Sequence, residues 1–245
     1  MNEIIVNVFG ENTIVEPGIV LKDLAHKYQE RERYDIVLAF VDGHLTELHK
    51  VIDKSCKVEF ITTNSIMGNE SYRRSTTLLM IKAFRDVLGT DIPHKIRVLY
   101  SLSKGYYCEV LGDKIKLDVK MIDKVKARMR ELVDLDLPIT KENLNTGDVI
   151  KLFESQGMED KSRLFKYRRV SKTNVYSLED YIDYYYGFML PSTGYIGYFD
   201  LILYGEGFVL QMPVMTAPTV VPPFNPQVKL FNVLKQSEVW GRKLE

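Results

Sequence analysis

The side chains able to do chemistry in this chain are few and scattered. Histidines stand at His26, His44, His49 and His94, and cysteines at Cys56 and Cys108. A nucleophilic thiol needs a base beside it, and neither cysteine has a histidine neighbour in sequence. A metal needs three or four converging donors. Only His44 and His49 are near each other, with no third donor placed beside them. No catalytic residue and no metal ligand is therefore assigned. A phosphate-cradling loop of the form G-x-x-x-x-G-K-[ST] requires a Gly-Lys pair, and none occurs in the 245 residues. Gly194-Tyr195-Ile196-Gly197 and Gly205-Glu206-Gly207 lack a dinucleotide fingerprint and read as turns.

Two groupings do suggest chemistry of binding. Residues 161–178 carry Lys161, Arg163, Lys166, Arg168, Arg169 and Lys172 with no acid. Just after them come Tyr181, Tyr184, Tyr185 and Tyr186, then Tyr195 and Tyr198. Arginines that meet phosphates beside rings that stack on bases make a nucleic-acid face. Strand tyrosines closing a core, beside a solvated basic face, would give the same pattern. Arg163, Lys166, Arg168 and Arg169 are the phosphate or RNA candidates.

The elements that must position these residues are legible in part. Ile4, Val6 and Val8 alternate as in a half-buried strand, and Thr13 to Val15 returns from a turn at Gly10-Glu11-Asn12. Val20, Leu21, Leu24 and Tyr28 have helical spacing, Ile36 to Val41 is a nearly continuous apolar run, and Lys57 to Thr62 reads as a strand. This ββαββ order fits a β-grasp unit. Asn64 to Gly68 reads as a joint. A helix is predicted over Tyr72 to Leu88, stopped by Gly89. A hairpin follows, turning at Ser103-Lys104-Gly105. Asp118 is placed to cap a helix carrying Met121, Ile122, Val125, Met129 and Leu132. Thr146 to Gly157 is a short helix, and 161–212 reads as strand-like pieces. Five of the nine prolines fall within 213–226, which predicts an extended surface arm.

Composition excludes some classes. Lys and Arg total 33 and so do Asp and Glu, so no global charge draws the chain to nucleic acid or to an anionic membrane. The zero conceals a split: residues 1–65 hold seven cations against eleven anions, a net −4, and the remainder holds 26 against 22, a net +4. There is no apolar run of spanning length and no signal-peptide layout. The two cysteines form no framework, so the expected compartment is the reducing cytoplasm.

A family pattern runs through these pieces in order. Tyr72-Arg73-Arg74-Ser75-Thr76-Thr77-Leu78-Leu79, Lys104 to Glu109, Met121 to Val133, Asp148 to Gly157, and Tyr184 to Gly194 with its Pro191-Ser192-Thr193-Gly194 each resemble a motif of threonyl-tRNA synthetases. Residues 1–63 resemble the TGS domain there, and 71–211 the editing domain that follows. The resemblance implies an α+β fold. A TGS-like β-grasp domain would span 1–65, an editing-like two-layer α+β domain 66–212, and a proline-rich arm and linker 213–245. It also places Arg73 and Thr77 where the family's editing helix has two histidines, and Tyr185 and Met189 where it has a cysteine and a histidine. All four site residues are replaced. The expectation is a retained cleft without editing chemistry, lined by Arg73, Thr77, Tyr107, Glu109, Tyr185 and Met189, with Glu109 a candidate partner for Arg73.

Proteins joining these two domains to a C-terminal kinase of the uridine kinase/phosphoribulokinase type show a similar join, here Lys229-Leu230-Phe231 and then Trp240. That second resemblance implies a non-catalytic, ligand- or RNA-binding or regulatory part of a nucleoside kinase. Its ATP and magnesium would belong to a kinase domain beyond residue 245, the partner of this chain. A metal-free aminoacyl-tRNA editing hydrolase and a tRNA- or RNA-binding module are the alternatives.

Overall fold

The computed structural model describes residues 3–89, 95–111, 115 and 117–244; His94 lies outside them. The first unit contains β1 (Ile4–Val8), β2 (Glu11–Val15), β3 (Ile19–Val20), α1 (Leu21–Tyr28), β4 (Ile36–Val41), β5 (His44–Glu47), β6 (Val51–Ile52) and β7 (Cys56–Thr62). The main sheet runs β2-β1-β7-β4-β5. β1 and β7 are parallel and the other pairs antiparallel. α1 buries Leu21, Leu24, Ala25 and Tyr28 against Val6, Val8 and Val58, as its spacing requires.

β4 explains its own continuous apolar run. Its register against β7 shifts between Ile36 and Leu38, which marks a bulge. Ile36 and Ala39 enter the β-grasp core, whereas Val37 and Leu38 join the core of the second unit. The two units therefore share this strand.

The expected joint at 64–68 is instead a helix start. α2 spans Ile66–Leu88, capped by the Ser65 hydroxyl, which accepts from the Gly68 amide at 3.0 Å. A methyl at Gly68 would overlap the Thr62 carbonyl oxygen, so strand end and helix start are locked together. Ile66 and Met67 point to solvent and so hide this first turn from a hydrophobic-periodicity reading.

The second unit adds β8 (Lys95–Leu102), β9 (Gly105–Leu111), α3 (Val119–Asp134), β10 (Thr140–Asn145), α4 (Thr146–Ser155), α5 (Glu159–Lys166), β11 (Lys172–Leu178), β12 (Tyr181–Asp183), β13 (Asp200–Tyr204) and β14 (Gly207–Gln211). The sheet β13-β14-β9-β8 packs one face on α2 and α3, where Phe84 meets Phe208 at 4.8 Å. The sheet β10-β11-β12 carries α4 and α5, which bury Val149, Phe153 and Phe165 against Val175. The architecture is α+β, a β-grasp unit followed by an editing-like α+β unit. Asp118 caps α3 as expected, accepting from the Met121 amide at 2.8 Å.

Two expectations need correction here. Residues 159–166 are helix, not strand; Ser162 and Phe165, three apart, form its buried side and the charges lie outside. The segment after the arm is helix too: α6 spans Val228–Leu244. The arm is extended only from 220 to 227; residues 214–219 are turned, with Ala217 N donating to the Val214 carbonyl at 2.9 Å and Val220 N to the Ala217 carbonyl at 3.2 Å. The arm is also strapped down. Gln211 donates to the Pro222 carbonyl at 3.3 Å, and Asn225 N donates to the Ser103 hydroxyl at 2.6 Å. Phe231 of α6 then packs on Tyr100, Tyr107 and Tyr204.

Candidate functional site

The candidate cleft residues divide by the faces of α2 and β9. Arg73 and Thr77 lie one turn apart on α2, as their spacing requires. Arg73 is half-buried. Its Nε donates to the Tyr106 hydroxyl at 3.2 Å and its Nη1 to the Lys104 carbonyl at 2.9 Å, and its guanidinium carbon sits 4.4 Å from the Tyr106 ring centre. Its partner is thus the β8–β9 turn and not Glu109. The Thr77 hydroxyl donates back to the Arg73 carbonyl at 2.9 Å, which ties it to its own helix.

Tyr107 and Glu109 do not face this site. Side chains alternate along a strand. Tyr106, Cys108 and Val110 turn to the core under α2, and Tyr107 turns to the opposite face of the sheet. There it is fully buried, stacked on Tyr100 at 5.1 Å and edge-on to Phe231 at 5.0 Å, and its hydroxyl donates to Glu109 at 3.1 Å. The motif gave the strand but not which parity faces inward.

Tyr185 and Met189 do come to α2, and they fill space. Met189 is fully buried; its sulfur lies 3.9 Å from the Ser75 hydroxyl. The same hydroxyl accepts from Leu190 N at 2.9 Å. The Tyr185 hydroxyl is buried without a hydrogen-bond partner among the described residues, near Cys108 and Asp183. Burial pushes its pKa well up, with the Asp183 charge adding to the effect. Burial likewise drives the Cys108 thiol far above its ordinary range, so it is held protonated and is no nucleophile at neutral pH. Arg73, Thr77, Tyr185 and Met189, the four positions that the resemblance aligns with editing-site residues, hold one tethered guanidinium, one self-bonded hydroxyl and two packed side chains. None can take a proton from water.

The basic candidates lie at the surface. Arg168 donates to the Tyr184 hydroxyl at 2.8 Å, and its guanidinium stands 4.7 Å from the Tyr184 ring and 5.1 Å from that of Phe165. Lys166 pairs with Glu154 at 2.9 Å. Arg163 and Arg169 are exposed and make no ion pair among the described residues. Tyr167 and Tyr186 are 83% and 84% exposed, so two rings near this stretch in sequence are free to stack.

Three features had no sequence signal. A cavity of about 660 Å³ opens between α3, β13 and the arm, lined by Lys126, Arg130, Phe199, Asp200, Pro222 and Phe224, away from the Arg73 face. Lys82 is buried among Asp86, Glu179 and Asp180. Glu47 of the β-grasp unit is 4% exposed and bonds to residues of the second unit. Among the described residues there is no group of three or more His, Cys, Asp or Glu able to hold a metal, and no helix is long and apolar enough to cross a membrane.

Comparison with known proteins bears on this geometry. No family model matches the chain. It is 29% identical over 202 residues to a threonine–tRNA ligase of Geobacter sp. (strain M21), which covers 82% of this chain and 31% of that protein. It is 30% identical over 165 residues to that of Syntrophotalea carbinolica, covering 67% and 26%, and 25% identical over 204 residues to that of Aquifex aeolicus, covering 82% and 31%. The chain is similar to threonine–tRNA ligases. It spans under a third of the length of these curated relatives. The match supports domains of the TGS and editing-like kind. It overturns the nucleoside-kinase reading, and phosphoryl transfer with it, because the relatives are aminoacyl-tRNA ligases. The Lys229-Leu230-Phe231 join that carried the kinase reading is explained by packing: Phe231 is buried on the tyrosine cluster.

Proposed function

We propose that this chain binds tRNA and does not hydrolyse aminoacyl esters at its editing-like positions. The observation that carries the reading is the surface beginning at α5. Arg163 and Arg169 are exposed there with no ion pair among the described residues, Arg168 is stacked against Tyr184, and Tyr167 lies open. A held guanidinium such as that of Arg168 and the two exposed ones beside it can meet phosphates, and an exposed ring accepts an unpaired base. The similarity to tRNA ligases supports RNA over other polyanions. The chain's zero net charge means that binding must come from this local face. Against hydrolysis stand the buried, protonated Cys108 thiol and the tethered Arg73.

The test is a titration of labelled tRNA at two salt concentrations. Three phosphate contacts predict an affinity loss of roughly thirtyfold between 50 and 200 mM salt. The triple variant Arg163→Ala, Arg168→Ala, Arg169→Ala should flatten that dependence. Unchanged binding in the triple variant, or none in the parent chain, defeats the proposal. Faster deacylation of seryl-tRNA by the chain would defeat its second half.

A further inference from the structure

Glu47 ends β5, an edge strand of the β-grasp sheet, yet its carboxylate serves the other unit. Oε1 accepts from the Tyr176 hydroxyl at 2.7 Å and from the Met189 amide at 2.9 Å. Oε2 accepts from the Lys141 ammonium at 2.9 Å, with His49 Nε2 at 3.8 Å. A carboxylate this buried is costly unless its lone pairs are used, and here they are used across the boundary between units.

The consequence falls on one short stretch of backbone. The Tyr176 hydroxyl shares its hydrogen with the Gly187 carbonyl at 2.7 Å. Arg74 donates to the Phe188 carbonyl at 3.1 Å, Glu47 takes the Met189 amide, and Ser75 takes the Leu190 amide at 2.9 Å. Each of residues 187–190 is thus held by a side chain from elsewhere, and the β-grasp unit supplies one of the four clamps directly. The other end is clamped at Asp183, which accepts from Lys161, Tyr181 and its neighbour Tyr184 N, and at Tyr184 against Arg168. The exposed Tyr186 lies between the two clamps.

We propose that Glu47 is a positioning residue through which the β-grasp unit fixes segment 187–190, and with it the presentation of Tyr186 to RNA. The hold on the segment stands on geometry alone; its effect on RNA rests on the tRNA-binding reading above.

The test uses the full chain and two readouts. In Glu47→Ala, hydrogen exchange at the Met189 and Leu190 amides should accelerate at least tenfold, while amides of α1 and β14 keep their rates. Glu47→Gln keeps the Oε1 acceptor and should stay within about threefold of the parent. Affinity for labelled tRNA should fall about five- to tenfold in Glu47→Ala with the salt dependence unchanged, because the phosphate-binding arginines remain and only stacking is lost. A general loss of structure would speed exchange everywhere and alter the salt dependence too. Unchanged exchange at Met189 and Leu190, or acceleration throughout the chain, overturns the positioning role. Local acceleration with unchanged affinity overturns the coupling to RNA. If the parent chain binds no tRNA, the binding reading fails and the exchange data still decide whether Glu47 holds the segment. Should Glu47→Ala not fold, Glu47→Asp, whose shorter arm draws the carboxylate away from the Met189 amide, must give the same local acceleration.

Discussion

Arg73 reaches across from α2 to lie over Tyr106, 4.4 Å from guanidinium carbon to ring centre, while donating to the same tyrosine's hydroxyl and to the Lys104 carbonyl. This side chain fastens a helix to a turn. Arg73→Ala should therefore cost about 1–2 kcal/mol of stability, discounted for its partial exposure. Chemical denaturation measures it. Arg73→Lys should recover less than half of the loss, since an ammonium cannot make both directed bonds and the ring contact. A silent Arg73→Ala would mean that the contact is energetically idle.

Cys108 should be unreactive. With the thiol buried and held protonated, a thiol reagent at pH 8 should label Cys56, which is partly exposed, and reach Cys108 only after unfolding. The same shift has a pH consequence. The folded-state pKa lies above the unfolded value of about 9, so beyond that value the unfolded chain gives up a proton that the folded chain keeps. Stability then falls as pH rises, by about 1.4 kcal/mol per pH unit for this group. Above roughly 10 the fall should steepen, because burial also raises Tyr72, Tyr107, Tyr176, Tyr181 and Tyr185. Urea denaturation from pH 8 to 11 checks this, with Cys108→Ala expected to remove the first part of the slope.

The start of α2 gives a graded pair. Ser65→Ala removes one capping bond and should cost about 1 kcal/mol. Gly68→Ala drives a methyl into the Thr62 carbonyl, which is backbone and cannot swing aside, so its cost should exceed the cap's, at about 2–3 kcal/mol. The reverse order in thermal unfolding would show that the strand end and the helix start are not tightly joined.

Phe231 anchors α6 to the outer face of the four-stranded sheet, with rings of Tyr107 at 5.0 Å and Tyr204 at 4.7 Å. Phe231→Ala should cost about 3 kcal/mol and free the arm between Gln211 and Gln227. Proteolysis within 213–227 of the variant, and not of the parent, is the measurement. Equal resistance would show that the bonds at Ser103 and Gln211 suffice.

What could be read from the sequence was local. The alternation of Ile4, Val6 and Val8, the cap at Asp118 and the stop at Gly89 are each set by neighbours within a few residues, and each stands as expected. α5 leaves no such trace, because an eight-residue helix with Ser162 and Phe165 as its buried side offers too little periodicity. β10, with only Leu144 packed on an apolar core, offers even less. The facing of Tyr107 depends on which side α2 packs, and a strand's period of two cannot tell up from down. Glu47 finds its partners 94, 129 and 142 residues away, so no window along the chain contains the reason for its burial.

The bulge in β4 has a practical side. One strand feeds Ile36 and Ala39 to one interior and Val37 and Leu38 to another, so there is no place to cut the chain cleanly. A fragment ending at residue 65 would carry Val37, Leu38 and Ile61 into water as an adhesive face. A fragment beginning there would lack the cover over α2 and the carboxylate that Tyr176 and Met189 depend on. The two units can be told apart by eye, but each is the other's missing wall.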